Sequence, residues 1–421
     1  MSKIIILGAG ISGLGAGYSF RKNGCDPILL EKNPTYGGLC DNFEIKGFYF
    51  DHFVHFSFTN DGEVKRLFQL SAPNIIRHTP NPYNIYNKKW IKHPAQNNLY
   101  PLSSYEKQQI ITDFRKRPIV SDINQIQNYE EWLRAQYGDY FAEHFPMIYT
   151  QKYWMCQARE LETKWIGNRL YQPSIEEVIR GCETADTPVT YYAQEMCYPQ
   201  KGGYKAFLRV LTEGLDIKYN SEIVEISPIG RSVRTQKGDV YYYDRLISSL
   251  PLPEILSMLK DLPDDVISAG EQLRYTSGYL ISIALKTKNI PPYLWWYVYD
   301  EDILASRVYS PSLKSPYNVP EGCSSLQLEV YVKQDAYTYE ELFNKTVTRL
   351  VELNIIEEMD ILFVDIRFEK YANVVFDHNI YNSRKVIRDY LFSIGIETIG
   401  RFGEWDYFWS DQSLKSGMDI A

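Results

Sequence analysis

Ile4-Ile5-Ile6-Leu7-Gly8-Ala9-Gly10-Ile11-Ser12-Gly13 is the stretch that decides the fold of this chain. Four consecutive apolar, mostly β-branched residues predict a strand buried on both faces. That strand delivers a Gly8-x-Gly10-x-x-Gly13 turn to the start of an apolar, helix-like segment. A helix N-terminus presents unpaired backbone N–H groups, and glycines let a pyrophosphate come close to them. A second apolar run, Ile28-Leu29-Leu30, closes on Glu31, where a carboxylate can bind a ribose hydroxyl. Strand, turn, the small residues Ala16 and Gly17, and the terminal acid agree on a dinucleotide site in an α/β, Rossmann-like domain.

Gly37-Gly38 follows closely, and a second glycine turn suits FAD, whose long body needs backbone clearance twice. At 421 residues, with 44% hydrophobic and 15% aromatic content, the chain can bury a large core and divide into two or more domains. A formal charge of −8 argues against nonspecific binding to nucleic acid or acidic membranes, while leaving room for a local basic pocket around one diphosphate. The 35 tyrosines each pair an apolar ring with a hydroxyl, which suits a pocket for sugars and nucleotides, although most must serve packing. Cys25, Cys40, Cys156, Cys182, Cys197 and Cys323 lie far apart without a CxxC or a cysteine–histidine cluster, so reduced thiols and no metal site are expected. The first strand starts at once and no apolar stretch is long enough to span a bilayer, so the expectation is a soluble, cytoplasmic protein.

Changes of period set the domain plan. After Gly47 to Asn60 a helical pattern runs to about residue 182, clearest where Tyr129, Trp132, Leu133, Tyr137, Tyr140, Phe141, His144 and Phe145 share one face. Strand-like alternation follows at 223–226 and 241–250, the latter stopped by Pro251, and again at 281–285, 295–299 and 327–332. Helices are expected at 340–354 and 382–394, and Asp411-Gln412-Ser413 reads as a last helix start. The plan is a discontinuous FAD-binding domain (1–60, 195–250 and 385–421), a mainly helical substrate domain (61–194) and a mixed antiparallel β-sheet substrate domain (251–384).

Five further segments, in order along the chain, resemble the UDP-galactopyranose mutases, especially their eukaryotic-type branch, within the amine-oxidase-like FAD proteins. Pro94-Ala95-Gln96-Asn97-Asn98 is similar to the family's PxQNN, Lys152-Tyr153-Trp154 to its Lys-x-Trp, and Trp165-Ile166-Gly167-Asn168-Arg169 to its WxGxR. The stretch from Arg307 to Pro320 resembles an arginine-led SNYSPYNxP, and Gly400-Arg401-Phe402-Gly403-Glu404-Trp405-Asp406-Tyr407 resembles GRFGxWxY.

The resemblance implies an FAD enzyme in which N5 of the reduced flavin attacks the anomeric carbon of a nucleotide sugar, so that the ring reopens and closes at another size, in the service of surface-glycan synthesis. Cations must then meet the diphosphate as charge gathers on the leaving oxygen. Arg169 and Arg307 match those cations, and His55 matches a histidine facing the flavin. Gln96 and Asn97 with Trp154 are implied at the nucleobase, and Tyr371 and Tyr407 at the diphosphate. Cofactor contacts are implied at Gly8, Gly10, Ile11, Ser12 and Gly13; at Glu31 and Lys32; at Gly38 and Leu39; and at Gly400, Arg401, Tyr407, Gln412 and Ser413. NAD(P)H is the external reductant this reading allows, and a homo-oligomer is compatible with it. One departure matters: where the family has Asp-x-Gly-Gly-His, this chain has Asp51-His52-Phe53-Val54-His55, and a β-branched Val54 resists positive φ, so a stiffer loop is expected. That departure keeps a true amine-oxidase-type oxidoreductase open as the alternative, with a non-catalytic flavin-binding partner protein as a third class.

Overall fold

The computed structural model describes residues 2–118, 125–167, 169–191 and 193–421. Its first layer is a five-stranded parallel sheet in the order Ile396–Thr398, Arg245–Ser248, Ile4–Leu7, Ile28–Leu30, Asp216–Lys218. Ile4–Leu7 is buried along its length, as a central strand covered on both faces must be. Helix Ile11–Lys22 crosses over to Ile28–Leu30, and the last helix, Ser410–Met418, lies against it. Glycine sets that approach: a Cβ on Gly15 would stand 2.6 Å from the Leu414 carbonyl oxygen, and one on Gly417 only 1.9 Å from that of Ser12.

The second layer is a seven-stranded sheet in the order Ile361–Val374, Tyr275–Leu285, Ser324–Val332, Arg307–Tyr309, Trp295–Val298, Tyr83–Tyr86, Lys89–Lys92. Its pairings are antiparallel except between Trp295–Val298 and Tyr83–Tyr86. The last two strands come from a stretch that the periodicity assigns to helix. They form a hairpin through Asn87 and Lys88, both at positive φ (49° and 60°), a turn whose asparagine is a readable signal. Helices Ser104–Lys116, Tyr129–Tyr137, Asp139–His144, Pro146–Trp154 and Ile175–Glu183 pack on one another, and Pro146–Trp154 lies against strands Ser324–Val332 and Tyr275–Leu285.

Two other elements differ from the sequence reading. The aromatic stripe from Tyr129 to Phe145 is carried by two helices, because Gly138 turns to φ +78° where a Cβ would meet the Asp113 backbone at 2.6 Å. Residues 241–250 form not one strand but two in different sheets, Val240–Tyr242 and Arg245–Ser248, since Asp244 is pulled onto the Lys3 backbone by N–H···O bonds in both directions. The helices expected at 340–354 and 382–394 are found at Tyr339–Glu352 and Ile380–Ser393. All six cysteines are free thiols. Among the described residues no helix is long and apolar enough to cross a membrane, and no group of three or more His, Cys, Asp or Glu is placed to hold a metal ion.

Candidate active site

A cavity of about 1140 Å³ opens where the parallel sheet, the helices and the seven-stranded sheet meet. Ordinary small-molecule pockets hold about 300–1000 Å³, so this one has room for a dinucleotide and a second ligand.

One end is made of backbone. Gly8, at φ +92°, ends the first strand, and a Cβ on Gly13 would stand 2.0 Å from the Gly8 carbonyl oxygen. Gly10 caps helix Ile11–Lys22 without a side-chain bond, so the first helical N–H groups, at Ile11 and Ser12, open to the cavity. Glu31 is buried with its carboxylate aimed by two backbone donors, Ala9 N–H to Oε2 at 2.8 Å and Asn33 N–H to Oε1 at 2.9 Å. Lys32 lines the cavity beside it. The second glycine turn packs on the first: Gly10 and Gly37 bridge in parallel, and a Cβ on Gly38, at φ +57°, would lie 3.2 Å from the Gly10 Cα. Leu39 follows on the wall. This cradle fits a dinucleotide: Gly13 lets the helix start close on the first strand, Gly38 lets the second turn close on the first, and Gly8, Gly10 and Gly38 line the cavity there.

The other end is made of side chains. His55 lines the wall with its ring 5.0 Å from that of Tyr204, and its buried Nδ1 lacks a partner. Burial pushes its pKa down to about 4, so it is neutral at pH 7. Arg307 donates through Nε and Nη2 to Glu329 Oε2 at 2.9 and 2.6 Å; Tyr331 donates to the same oxygen at 2.7 Å, and Val54 N–H to Oε1 at 2.8 Å. Arg169 donates to the carbonyl oxygens of Trp165 and Tyr407, both at 2.9 Å, and lies over the rings of Tyr407 (4.5 Å) and Trp409 (5.0 Å). Arg401 donates to the Phe408 carbonyl at 3.2 Å and to Asn373 Oδ1 at 2.9 Å, and is also over Tyr407, at 5.0 Å. Among the described residues neither Arg169 nor Arg401 pairs with a carboxylate, and each keeps a buried Nε without an acceptor. Guanidinium groups held on neutral oxygens inside a cavity carry charge that an anionic ligand can use.

Of the other residues singled out in the sequence, Gln96, Trp154, Tyr371, Tyr407 and Ser413 also line the cavity. Gly13, Asn97, Gly400 and Gln412 do not. Gly13 and Gly400 act through the space they leave, Gly400 against Ser12 Oγ, where a Cβ would stand at 2.1 Å, and its N–H is taken by Ser416 Oγ. Asn97 is buried and donates to Thr190 Oγ1, while Gln412 accepts the Trp409 N–H as a helix cap. Tyr371 donates to Glu254 at 2.6 Å, which occupies the hydroxyl expected at a diphosphate. Trp154 is boxed by Tyr153, Trp165, Phe376 and Tyr407 at 4.9–6.3 Å and is 4% exposed, so it presents no open face to a base. Asn168 of the Trp165–Arg169 motif lies outside the described residues.

The 51–58 loop corrects one expectation. Phe53, not Val54, takes the left-handed conformation, at φ +63°, and stacks on Tyr331 with ring planes 3° apart. The backbone bend that glycine would make easily is thus present, held by packing. Sequence reasoning missed Glu329, Tyr331, Tyr149 and Tyr153 around Arg307, and Tyr297 and His93 further along the wall. The signal for Glu329 was its period of two with Gln327 and Tyr331, alternating with Leu326, Leu328, Val330 and Val332. Lys152, from the Lys-x-Trp segment, is no lining residue: its Nζ donates to the carbonyls of Val298, Asp300 and Ile303 at 2.8–3.0 Å and staples its helix to the sheet.

Cradle, acid and crossover helix define a Rossmann-like domain, and residues 6–70 match the NAD(P)-binding Rossmann-like domain family. The whole architecture is that of UDP-galactopyranose mutase: a crystal structure of the reduced form of that enzyme superposes with a TM-score of 0.93 at 24% identity, over 100% of this chain and 94% of that one. A zeta-carotene-forming phytoene desaturase of Myxococcus xanthus is 21% identical over 336 residues, 68% of this chain and 60% of that protein, so under two thirds of its length is spanned. Over 80 residues, 19% of this chain, the identity is 39% to an uncharacterized protein in the nifH2 3' region of Methanothermococcus thermolithotrophicus, of which 74% is covered, and the chain belongs to one family with it.

Proposed function

We propose that the protein is an FAD-dependent enzyme of nucleotide sugars, a redox-neutral pyranose–furanose mutase that works in the cytoplasm with reduced cofactor, replenished by external NAD(P)H. The observation that carries this reading is the presence, in one cavity, of a glycine cradle with Glu31 at one end and, at the other, two guanidinium groups, Arg169 and Arg401, that have no carboxylate partner among the described residues. Reduced FAD supplies a nucleophilic ring nitrogen. The protein supplies the rest: Gly8 to Ser12 and Gly38 hold the pyrophosphate, and Glu31 the ribose. Arg169 and Arg401 take the substrate diphosphate, with Arg307 beside them on Glu329, so that the charge growing on the leaving oxygen meets guanidinium groups already in place. His55, neutral at pH 7, adds no charge beside the reacting centre.

A second reading, an amine-oxidase-type oxidoreductase, is favoured by the aromatic wall of Phe53, Phe56 and Trp295 beside His55 and by the likeness to the desaturase. Stoichiometry separates the two. Enzyme reduced once with dithionite under argon and given a panel of nucleotide sugars is expected to form many equivalents of ring isomer per electron pair. Product formed only one for one with an added electron acceptor, with no isomer, overturns the mutase in favour of the oxidoreductase.

A further inference from the structure

Beneath the His55 loop lies a buried charge pair that the proposed reaction does not use. Lys314 stands where the family pattern SNYSPYN has its first tyrosine; it is fully buried, and its Nζ pairs with Asp51 Oδ2. Three rings box the ammonium, Tyr198 at 4.3 Å, Tyr309 at 4.9 Å and Phe56 at 5.4 Å. Asp51 also accepts the Tyr198 hydroxyl at 2.8 Å and the Tyr204 N–H at 3.0 Å, and Tyr204 carries the ring against His55. The Tyr309 hydroxyl lies 3.2 Å from the Asp51 carbonyl oxygen and 3.1 Å from that of Phe53, the residue at φ +63°. Beyond His55, Ser57 is tied by N–H···O bonds in both directions to Cys197.

We infer that Asp51 and Lys314 are the positioning pair of His55, an ion pair that pins the 51–57 segment from below and keeps the imidazole in the cavity wall. The chain departs from its family's pattern on both sides of this one contact, with Phe53-Val54 for the glycines above and Lys314 for the tyrosine beneath. A charge buried this deeply is tolerated only with its partner, so each member fixes the other. The charged groups that act on His55 are Asp51, Lys314 and Arg307, with desolvation the largest influence; Asp51 favours the imidazolium, and Lys314 and Arg307 oppose it. The catalytic consequence rests on the flavin reading, but the pair itself is read from the imidazole without substrate.

The test is the titration of His55 by NMR in protein labelled at histidine, assigned with His55→Asn. Wild type is expected to titrate at about 4. Lys314→Met, which removes a cation that opposes the imidazolium, is expected to raise that midpoint above the wild-type value; Asp51→Asn is expected to leave it at or below about 4; and the double variant is expected to fall between the two. Should Lys314→Met not fold, Lys314→Gln, whose amide can still donate to Asp51, gives the same upward reading. Unchanged melting with His55 unmoved in the Lys314 variants, or both single variants shifting it upward, overturns the pair. Failure of the isomerisation assay with these opposed shifts intact overturns only the mutase reading.

Discussion

The two ends of the cavity are built on different principles. At the dinucleotide end the contacts come from backbone, and the residues matter for what they lack: at Gly13 and Gly38 a missing Cβ is the structural feature. At the His55 end the contacts come from side chains that arrive from strands Arg307–Tyr309 and Ser324–Val332, helix Pro146–Trp154 and the Gly400–Trp409 turn. A backbone site tolerates almost no added atom, whereas a side-chain site fails by losing one partner of a pair.

That contrast is easiest to break at Gly13. Gly13→Val places a methyl-bearing carbon on the Gly8 carbonyl oxygen, a backbone atom that cannot swing aside, and its cost is expected at or above the about 3 kcal/mol of severe overpacking. Denaturant unfolding and cofactor content after gentle purification check it; a stable variant with full cofactor load means the helix can shift away from the strand. Arg307 tests the other principle. Arg307→Met leaves Glu329, fully buried, with an unpaired charge and is expected to cost about 3–5 kcal/mol in stability. Arg307→Lys keeps the charge but not the two-pronged geometry, and is expected to weaken nucleoside diphosphate binding by about 1–3 kcal/mol while leaving the dinucleotide bound. Calorimetric titration with nucleoside diphosphates gives the second figure, and equal affinity removes Arg307 from the ligand. The smallest effect is expected at Tyr371, whose hydroxyl serves Glu254: Tyr371→Phe should cost about 0.5–1.5 kcal/mol in stability and leave diphosphate affinity within twofold. A larger loss of affinity returns Tyr371 to the ligand.

The same contrast governs how much could be read from the sequence. Glycine spacing reports backbone geometry directly, so the first strand, the turn, the crossover helix and Glu31 were legible from a few adjacent residues. The family-like segments and the Asp51–His55 run singled out Arg169, Arg307 and His55, which line one cavity. The partners of those residues were not legible, because pairing is set by tertiary neighbours: nothing near Tyr371 announces Glu254, and nothing near Asp51 announces Lys314. The ring neighbours of Trp154 were hidden for the same reason, since an aromatic free to stack and one boxed by four rings have the same spelling. At Phe53 local propensity pointed the wrong way. The left-handed bend persists in a residue that disfavours it, because stacking on Tyr331 holds it there.

The glycine-lined contact between helices Ile11–Lys22 and Ser410–Met418 bears on how the molecule is made. Helix Ile11–Lys22 is synthesised long before its packing partner Ser410–Met418 and before the edge strand Ile396–Thr398. Until those later residues arrive, the face of Ile11–Lys22 that meets Ser410–Met418 is uncovered and the nucleotide cradle is incomplete. Contacts so distant along the chain make for slow closure.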